Sequence, residues 1–382
     1  MNAPSNDLPL VSIVMPTFNR AHWVAGAIDS LLNLRTHDEF RYELIVVDNA
    51  SSDNTAEVVK AAIEHARVPA QYVFSRPPGD APTRNAGVRL AKGEWIAFFD
   101  DDQFATPDWL CELLRAARAC DGRVLGGPVH LDLSNQQLEA LGRLGRITLR
   151  EIDFYQQLQP YTGKHLPGTG NALVHREVFD EVGLFDESMT MGGSDFNFFR
   201  AAREHGHELW YAPKAIIRHR IEPNRLTSAY HRWDAMSGSS FQATSDCEQH
   251  GKWYATASAS ARIARVLAVT MPNLIWAAAT RNRGEVFSRR IQAWRTTGYL
   301  RGLLKALFPR LCKQTDYFKS IDFRLGREVG KKEAEQTAEK VEKAERVNAS
   351  NEKTGASSSS VRNPMMDNNV AATTSMQGRQ QP

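Results

Sequence analysis

The run Glu94-Trp95-Ile96-Ala97-Phe98-Phe99-Asp100-Asp101-Asp102-Gln103 constrains the fold most, because five consecutive apolar residues end abruptly in three adjacent carboxylates. Five apolar residues carrying three aromatic rings are too few for a buried helix and suit a strand in a sheet covered on both faces. The acids then stand at the C-terminal end of that strand, where open α/β sheets bind their ligands. Three carboxylates there repel one another, so the pattern asks for a cation, and a hard, oxygen-loving ion such as Mg2+ or Mn2+ fits. A solvated acidic turn capping the next helix is the simpler reading of the same residues.

The flanking sequence repeats this strand-and-turn theme. Val11 to Met15 is a β-rich run stopped by Pro16, and the apolar residues Trp23, Val24, Ala27, Ile28, Leu31 and Leu32 then recur at helical spacing. Leu44 to Val47 predicts a second strand, ending in Asp48-Asn49-Ala50-Ser51-Ser52-Asp53, with a capped helix from about Thr55. A third strand near Gln71 to Ser75 meets the break Pro77-Pro78-Gly79, and a helix opened by Thr83-Arg84-Asn85-Ala86-Gly87 runs to about Lys92. Four strands alternating with three helices predict a mostly parallel, Rossmann-like α/β sheet flanked by helices. Further on, Thr106-Pro107-Asp108 reads as the cap and first turn of a helix to Ala119, and Val124 to Leu131 as a strand broken at Gly126-Gly127-Pro128. Leu138 to Gln159 is helical or irregular. Strands at Ala172 to Val174, Leu209 to Ala212 and Ala215 to Arg218, and helices ending near Val182 and Gly206, complete the pattern, with His219 at the last strand's end.

Beyond Arg225 the alternation stops. The net charge is only +3, but Arg281 to Glu328 holds twelve Lys or Arg against four Asp or Glu, with aromatic residues interspersed. Such a basic, partly apolar stretch predicts a helical extension that rests on an anionic membrane surface or packs on the preceding domain. Ala261 to Ala279 is broken by Arg262, Arg265 and Pro272, which makes it a poor membrane span and a better buried or interfacial helix. The four cysteines have neither metal-ligand nor disulfide-framework spacing, and Met1 to Leu10 lacks a secretory pattern, so a cytoplasmic protein, peripheral on the inner face of the membrane, is expected. The expected organisation is a flexible stretch 1–9, a catalytic domain 10–225 split into halves 10–103 and 104–225, a basic helical extension 226–330, a charged helix 331–347 and a disordered tail 348–382.

Six motifs in order then carry a resemblance: Pro16-Thr17-Phe18-Asn19-Arg20, Val46 to Asp53, Arg84-Asn85-Ala86-Gly87, Asp100 to Asp102, Gly168-Thr169-Gly170-Asn171, and Gly193-Ser194-Asp195 with His219. Together they resemble the family 2 glycosyltransferases of GT-A fold, which are inverting and metal-dependent, and the acidic ending resembles the succinoglycan glucosyltransferase-like branch. The resemblance implies a nucleotide-sugar donor, of UDP type, and a glycan or lipid-linked acceptor in cell-surface or exopolysaccharide synthesis. It implies Thr17, Asn19, Arg20, Asp48, Arg84, Asp100 and Asp101 on the donor nucleotide, and Asp102, Asp100 and His219 on Mg2+ or Mn2+. Asp195 matches the general base, and Gly170, Asn171 and Ser194 the acceptor side. Which of the three adjacent acids hold metal and ribose stays open, either Asp100 with Asp102 or Asp101 with Asp102. Where the family has a Glu-Asp pair this chain has Ser194-Asp195, which leaves altered acceptor handling or an inactive enzyme open.

A sugar nucleotidylyltransferase would also use strand-end acids and Mg2+, but would open with a glycine-rich loop where this chain has Pro16 to Arg20. A non-catalytic nucleotide- or glycan-binding protein would accommodate Ser194. No GxSxG, P-loop or HExxH pattern supports hydrolase, kinase or protease chemistry, and no nucleic-acid-binding motif accompanies the basic region.

Overall fold

The computed structural model describes residues 8–76, 79–189 and 193–309. The expectations for Pro77-Pro78, Gly192, Cys312, residues 310–330, the charged helix and the tail lie outside the described residues. All described residues belong to the unit Met1–Ile321.

The N-terminal half alternates as expected: β1 (Leu10–Thr17), α1 (Val24–Leu32), β2 (Arg41–Asp48), α2 (Thr55–Ile63), β3 (Ala70–Phe74), α3 (Asp80–Leu90) and β4 (Trp95–Phe99). The remaining elements are β5 (Gln103–Ala105), α4 (Trp109–Cys120), β6 (Val124–Gly126), β7 (Val129–Leu131), α5 (Asn135–Thr148), β8 (Gln159–Pro160), β9 (Asn171–His175), α6 (Arg176–Val182), α7 (Ser194–Glu204), β10 (Leu209–Tyr211) and β11 (Ile217–His219). Four long helices follow: α8 (Ser228–His250), α9 (Lys252–Arg265), α10 (Met271–Ala279) and α11 (Arg283–Leu307), with a π-helical turn, Val266–Thr270, joining α9 to α10.

The main sheet has eight strands in the order β3-β2-β1-β4-β9-β6-β10-β8. Its β3-β2-β1-β4 side is parallel throughout, while β9 runs antiparallel to both β4 and β6. Alternate residues divide its two faces between two cores, as period-2 side chains must. Ile13, Met15, Leu44, Val46, Ala97 and Phe99 join one core, with α1 and α4. Val14, Ile45, Val47, Ile96 and Phe98 join the other, with α3, α6 and α7. The near-continuous apolar runs seen in the sequence are those of strands buried on both sides.

Two local expectations change. Pro107 precedes α4 rather than opening it; Asp108 is the N-cap residue but makes no side-chain cap bond, its carboxylate lying 2.8 Å from His37 Nε2 instead. At α2 the N-cap residue is Asn54, which makes no side-chain cap bond, and Asp53 Oδ1 instead accepts from the Thr55 N–H at 3.1 Å.

A second sheet of three short strands, β5-β11-β7, showed only in part in the sequence. In it β11 pairs antiparallel with β5, placing His219 opposite Gln103. The residue that follows the three acids is thereby locked beside a histidine more than a hundred positions away.

The helical extension packs through small residues. Gly298 and Gly302 of α11 lie on α8, where an added Cβ would stand 2.4 Å from the Met236 carbonyl oxygen and 2.2 Å from that of Ser240. Glycine lets the two backbones touch. Most of Ala261 to Ala279 is exposed rather than buried. Among the described residues no helix is long and apolar enough to cross a membrane.

His231 of α8 is fully buried, edge-on to Phe287 at 4.9 Å, and neither ring nitrogen has a hydrogen-bond partner among the described residues. Burial, ahead of the Arg225 charge, lowers its pKa to about 4. Because the folded value lies below the unfolded one, the stability tied to neutral His231 is present above about pH 6.5 and is lost as the pH falls toward 4. The loss is worth about 3 kcal/mol. His231→Phe should flatten thermal stability across that pH window without lowering it at pH 7; an unchanged pH profile would show that another group sets the acid limb.

Candidate active site

The C-terminal ends of β1, β2 and β4 open on one side of the sheet, as parallel pairing requires. Thr17 and Asp48 are register partners at the ends of β1 and β2, and the acids follow β4 directly. Thr17 and Asp48 are both buried. Asp48 Oδ1 accepts from the Ser51 N–H at 2.8 Å and Oδ2 from the Tyr72 hydroxyl at 2.7 Å, a partner the sequence did not suggest. Asn19 takes a left-handed backbone (φ 49°), with its N–H donating to Ser51 Oγ and its Oδ1 accepting from the Ser52 N–H. The two strand-end turns therefore brace each other.

The three acids point different ways. Asp101 is turned into the protein, where Oδ2 accepts from the Thr17 hydroxyl at 2.8 Å and from the Phe18 N–H at 3.3 Å, and Oδ1 lies 3.3 Å from Arg20 Nε. Asp102 Oδ2 lies 3.1 Å from Arg20 and 3.5 Å from His219 Nε2. Asp100 faces the cleft mouth with 37% of its side chain exposed, 3.8 Å from Arg84. Both oxygens of Asp101 are thus engaged by the scaffold, Asp102 shares Arg20 with it, and Asp100 is the most exposed of the three.

Arg20 stands elsewhere than the donor contact expected of it. Its side chain is 4% exposed and its guanidinium bonds Asp101, Asp102 and Glu222, so it neutralises the acids from beneath. Its planar fork can serve three carboxylates at once, which a lysine ammonium could not do in the same geometry. Glu222, just beyond β11, was not singled out from the sequence.

Charge state follows from these contacts. Desolvation raises the Asp100 pKa, helped by the Asp102 and Asp195 charges and opposed by Arg84 and His219, to about 6. Desolvation pushes Asp102 upward too, but the hydrogen bond and charge of His219, with Arg20 and Arg225, outweigh it and hold the group well below the usual carboxylate range.

Asp195 sits in the first turn of α7, behind Gly193 with φ 91°, and its Oδ1 accepts from the Phe196 N–H at 2.8 Å. Its charge is felt at Asp100. Ser194 beside it is 2% exposed. Gly170 lies against the acids: an added Cβ would stand 2.6 Å from Gln103 Nε2 and 2.8 Å from Asp100 Oδ2. Asn171 is spent on the scaffold, its Oδ1 accepting from the Trp109 indole at 2.8 Å and its Nδ2 donating to the Pro128 and Ala215 carbonyls. That leaves no amide hydrogen for the acceptor contact expected of it.

Among the described residues no three His, Cys, Asp or Glu side chains converge as a ready-made metal site. Asp102 Oδ2 and His219 Nε2 do form a two-donor pair at 3.5 Å, and an aspartate oxygen with an imidazole nitrogen suits Mn2+ or Mg2+ completed by a ligand's oxygens. His219 Nδ1 is buried without a hydrogen-bond partner among the described residues.

Residues 12–183 match the family described as Glycosyl transferase family 2. The glycosyltransferase AglE of Haloferax volcanii is 24% identical over 225 residues, covering 57% of this chain and 69% of that protein. The succinoglycan biosynthesis protein ExoO of Rhizobium meliloti is 30% identical over 200 residues, covering 50% of this chain and 56% of ExoO, so the match spans just over half of that relative. A solved structure of the mannosyltransferase PcManGT from Pyrobaculum calidifontis is similar over 80% of this chain and 89% of its own, at 19% identity and a TM-score of 0.48.

Proposed function

We propose that the chain, whose residues 12–183 match Glycosyl transferase family 2, is a glycosyltransferase that moves a sugar from a UDP-sugar to a hydroxyl of a glycan or lipid-linked acceptor, with inversion at the anomeric carbon. The observation that carries this reading is one cleft in which Asp100, Asp102 and His219 stand with Arg84 and within the field of Asp195.

The nucleoside end of the donor lies over the paired ends of β1 and β2, where Asp48 keeps lone pairs for a ring N–H. The diphosphate faces Arg84, whose Nε has no partner among the described residues and is free to donate to it. Asp102 and His219 would hold Mg2+ or Mn2+, and the ion would supply positive charge for the departing diphosphate. Glycine at 170 lets Gln103 and Asp100 close against that loop, an approach a side chain there would block.

Asp195 is the general base. Its carboxylate takes the proton of the acceptor hydroxyl as that oxygen bonds to the anomeric carbon, and the bond from that carbon to the diphosphate oxygen breaks on the opposite face. No covalent sugar–enzyme step is needed. Ser194 leaves the second acid of the motif in place, so it alters the acceptor's surroundings and not the proton's destination.

The likeness to ExoO, a succinoglycan biosynthesis protein, supports exopolysaccharide synthesis as the setting, which we place on the cytoplasmic face of a membrane. A panel of UDP-, GDP- and dTDP-sugars assayed with Mn2+ for nucleotide release tests the reading. UDP should be released only when metal is present; no release from any donor, with or without acceptor glycans, would contradict it.

A further inference from the structure

A cavity of about 710 Å³ lies between α5, α9 and α11, remote in sequence from every motif of the cleft. Five arginines line it, Arg143, Arg262, Arg265, Arg289 and Arg295, against a single acid, Glu285. Glu285 is bonded to Arg289. None of the other four makes an ion pair among the described residues, and the buried Arg262 Nε has no hydrogen-bond partner there. Asp234 acts on Arg295 from outside the cavity, but five guanidinium groups against one lining acid leave the site net positive, and it is relieved by an anion that accepts several charge-assisted hydrogen bonds at once, as a phosphate does.

The rim says where that phosphate resides. Ile147 and Val266 line the cavity, and the segment leaving it exposes Leu267 (67%), Val269 (42%), Met271 (41%), Ile275 (67%) and Trp276 (64%). An exposed apolar segment beside a cationic pocket is a costly surface to leave in water and is characteristic of an interfacial helix, with basic residues at headgroup level and Leu or Trp below them. A soluble phosphate compound or a nucleic acid would give the exposed leucine and isoleucine nothing to bury against.

We propose that this cavity receives the phosphate of an anionic phospholipid, with Leu267, Ile275 and Trp276 entering the acyl boundary of the bilayer. The site differs from the basic stretch Arg281 to Glu328 expected from sequence, because Arg143, Arg262 and Arg265 come from α5 and α9. The proposal rests on the reading of a membrane setting given above, but not on the transfer chemistry; vesicle binding and nucleotide release can each fail while the other holds.

Flotation of the full chain with phosphatidylglycerol-containing and pure phosphatidylcholine vesicles tests it. The chain should partition into the anionic vesicles at least about tenfold more strongly than into the neutral ones. Arg143→Gln with Arg265→Gln, both exposed positions whose loss leaves the fold intact, should weaken that partition about 30-fold. Leu267→Ser with Trp276→Ser should weaken it as well, and circular dichroism should show all variants folded. Equal partition into both vesicle types, or unchanged binding by the arginine variant, would overturn the proposal. So would inorganic phosphate titrating the cavity while the Leu267 and Trp276 variant still floats normally, which would assign the site to a soluble phosphate.

Discussion

Asp195→Asn should lower kcat for sugar transfer about a hundred- to ten-thousandfold while leaving UDP affinity nearly intact. The substitution keeps size and shape at the first turn of α7 and removes the proton acceptor alone. Loss of a favourable charge at the helix N-terminus costs about 0.3–1 kcal/mol, so melting should change little. The split between kcat and nucleotide affinity is what distinguishes a base from a structural helix acid, because the second would disturb folding and spare turnover. Full activity in Asp195→Asn would remove Asp195 from the mechanism.

Arg20→Ala should be the most destabilising single change near the cleft. It leaves Asp101, Asp102 and Glu222 without their shared cation, and removing one member of a buried ionic cluster costs about 3–5 kcal/mol. A fall in Tm on the order of 10 °C is expected. Arg20→Lys should recover only part of it, since an ammonium cannot reproduce the fork that meets three carboxylates. Because Asp102 loses its positioning, metal-dependent UDP binding should weaken alongside stability. Equal stability of Arg20→Ala and wild type, measured calorimetrically, would show that the cluster is neutralised by other groups.

The N-terminal half of the fold was legible in the sequence, and β4 matched to the residue, because long parallel strands buried on both faces write themselves as apolar runs closed by turn residues. The cleft was legible for the same reason: Thr17, Asp48 and the acids all stand where a run ends. The second sheet was legible only in part: β7 and β11 fall within or against runs read as strands, but the three residues of β5 are too few for any period to show, and only the pairing of the three explains why His219 meets Asp102.

Side-chain roles proved less readable than positions. Three adjacent acids gave no register, and it took the Thr17 hydroxyl and Arg20 to draw Asp101 inward. Asn171 stands in a glycine-rich motif that implied an acceptor contact, yet its neighbours Trp109, Pro128 and Ala215 come from three distant segments and consume its amide. Arg20 and Glu222 are 202 positions apart, a pairing that no local pattern announces. The arginine cavity is a product of helix packing: each arginine alone is an ordinary residue of an amphipathic helix, and only the meeting of α5, α9 and α11 makes them a cluster.

Calorimetric titration of UDP into wild type, Asp102→Asn and Asp195→Asn, each with and without Mn2+, tests the cleft assignment most directly. Wild type and Asp195→Asn should bind UDP in a Mn2+-dependent manner with similar affinity, and Asp102→Asn should lose the metal-dependent part. Equal UDP binding by all three proteins irrespective of Mn2+ would contradict the assignment of Asp102 and His219 to the diphosphate-metal centre.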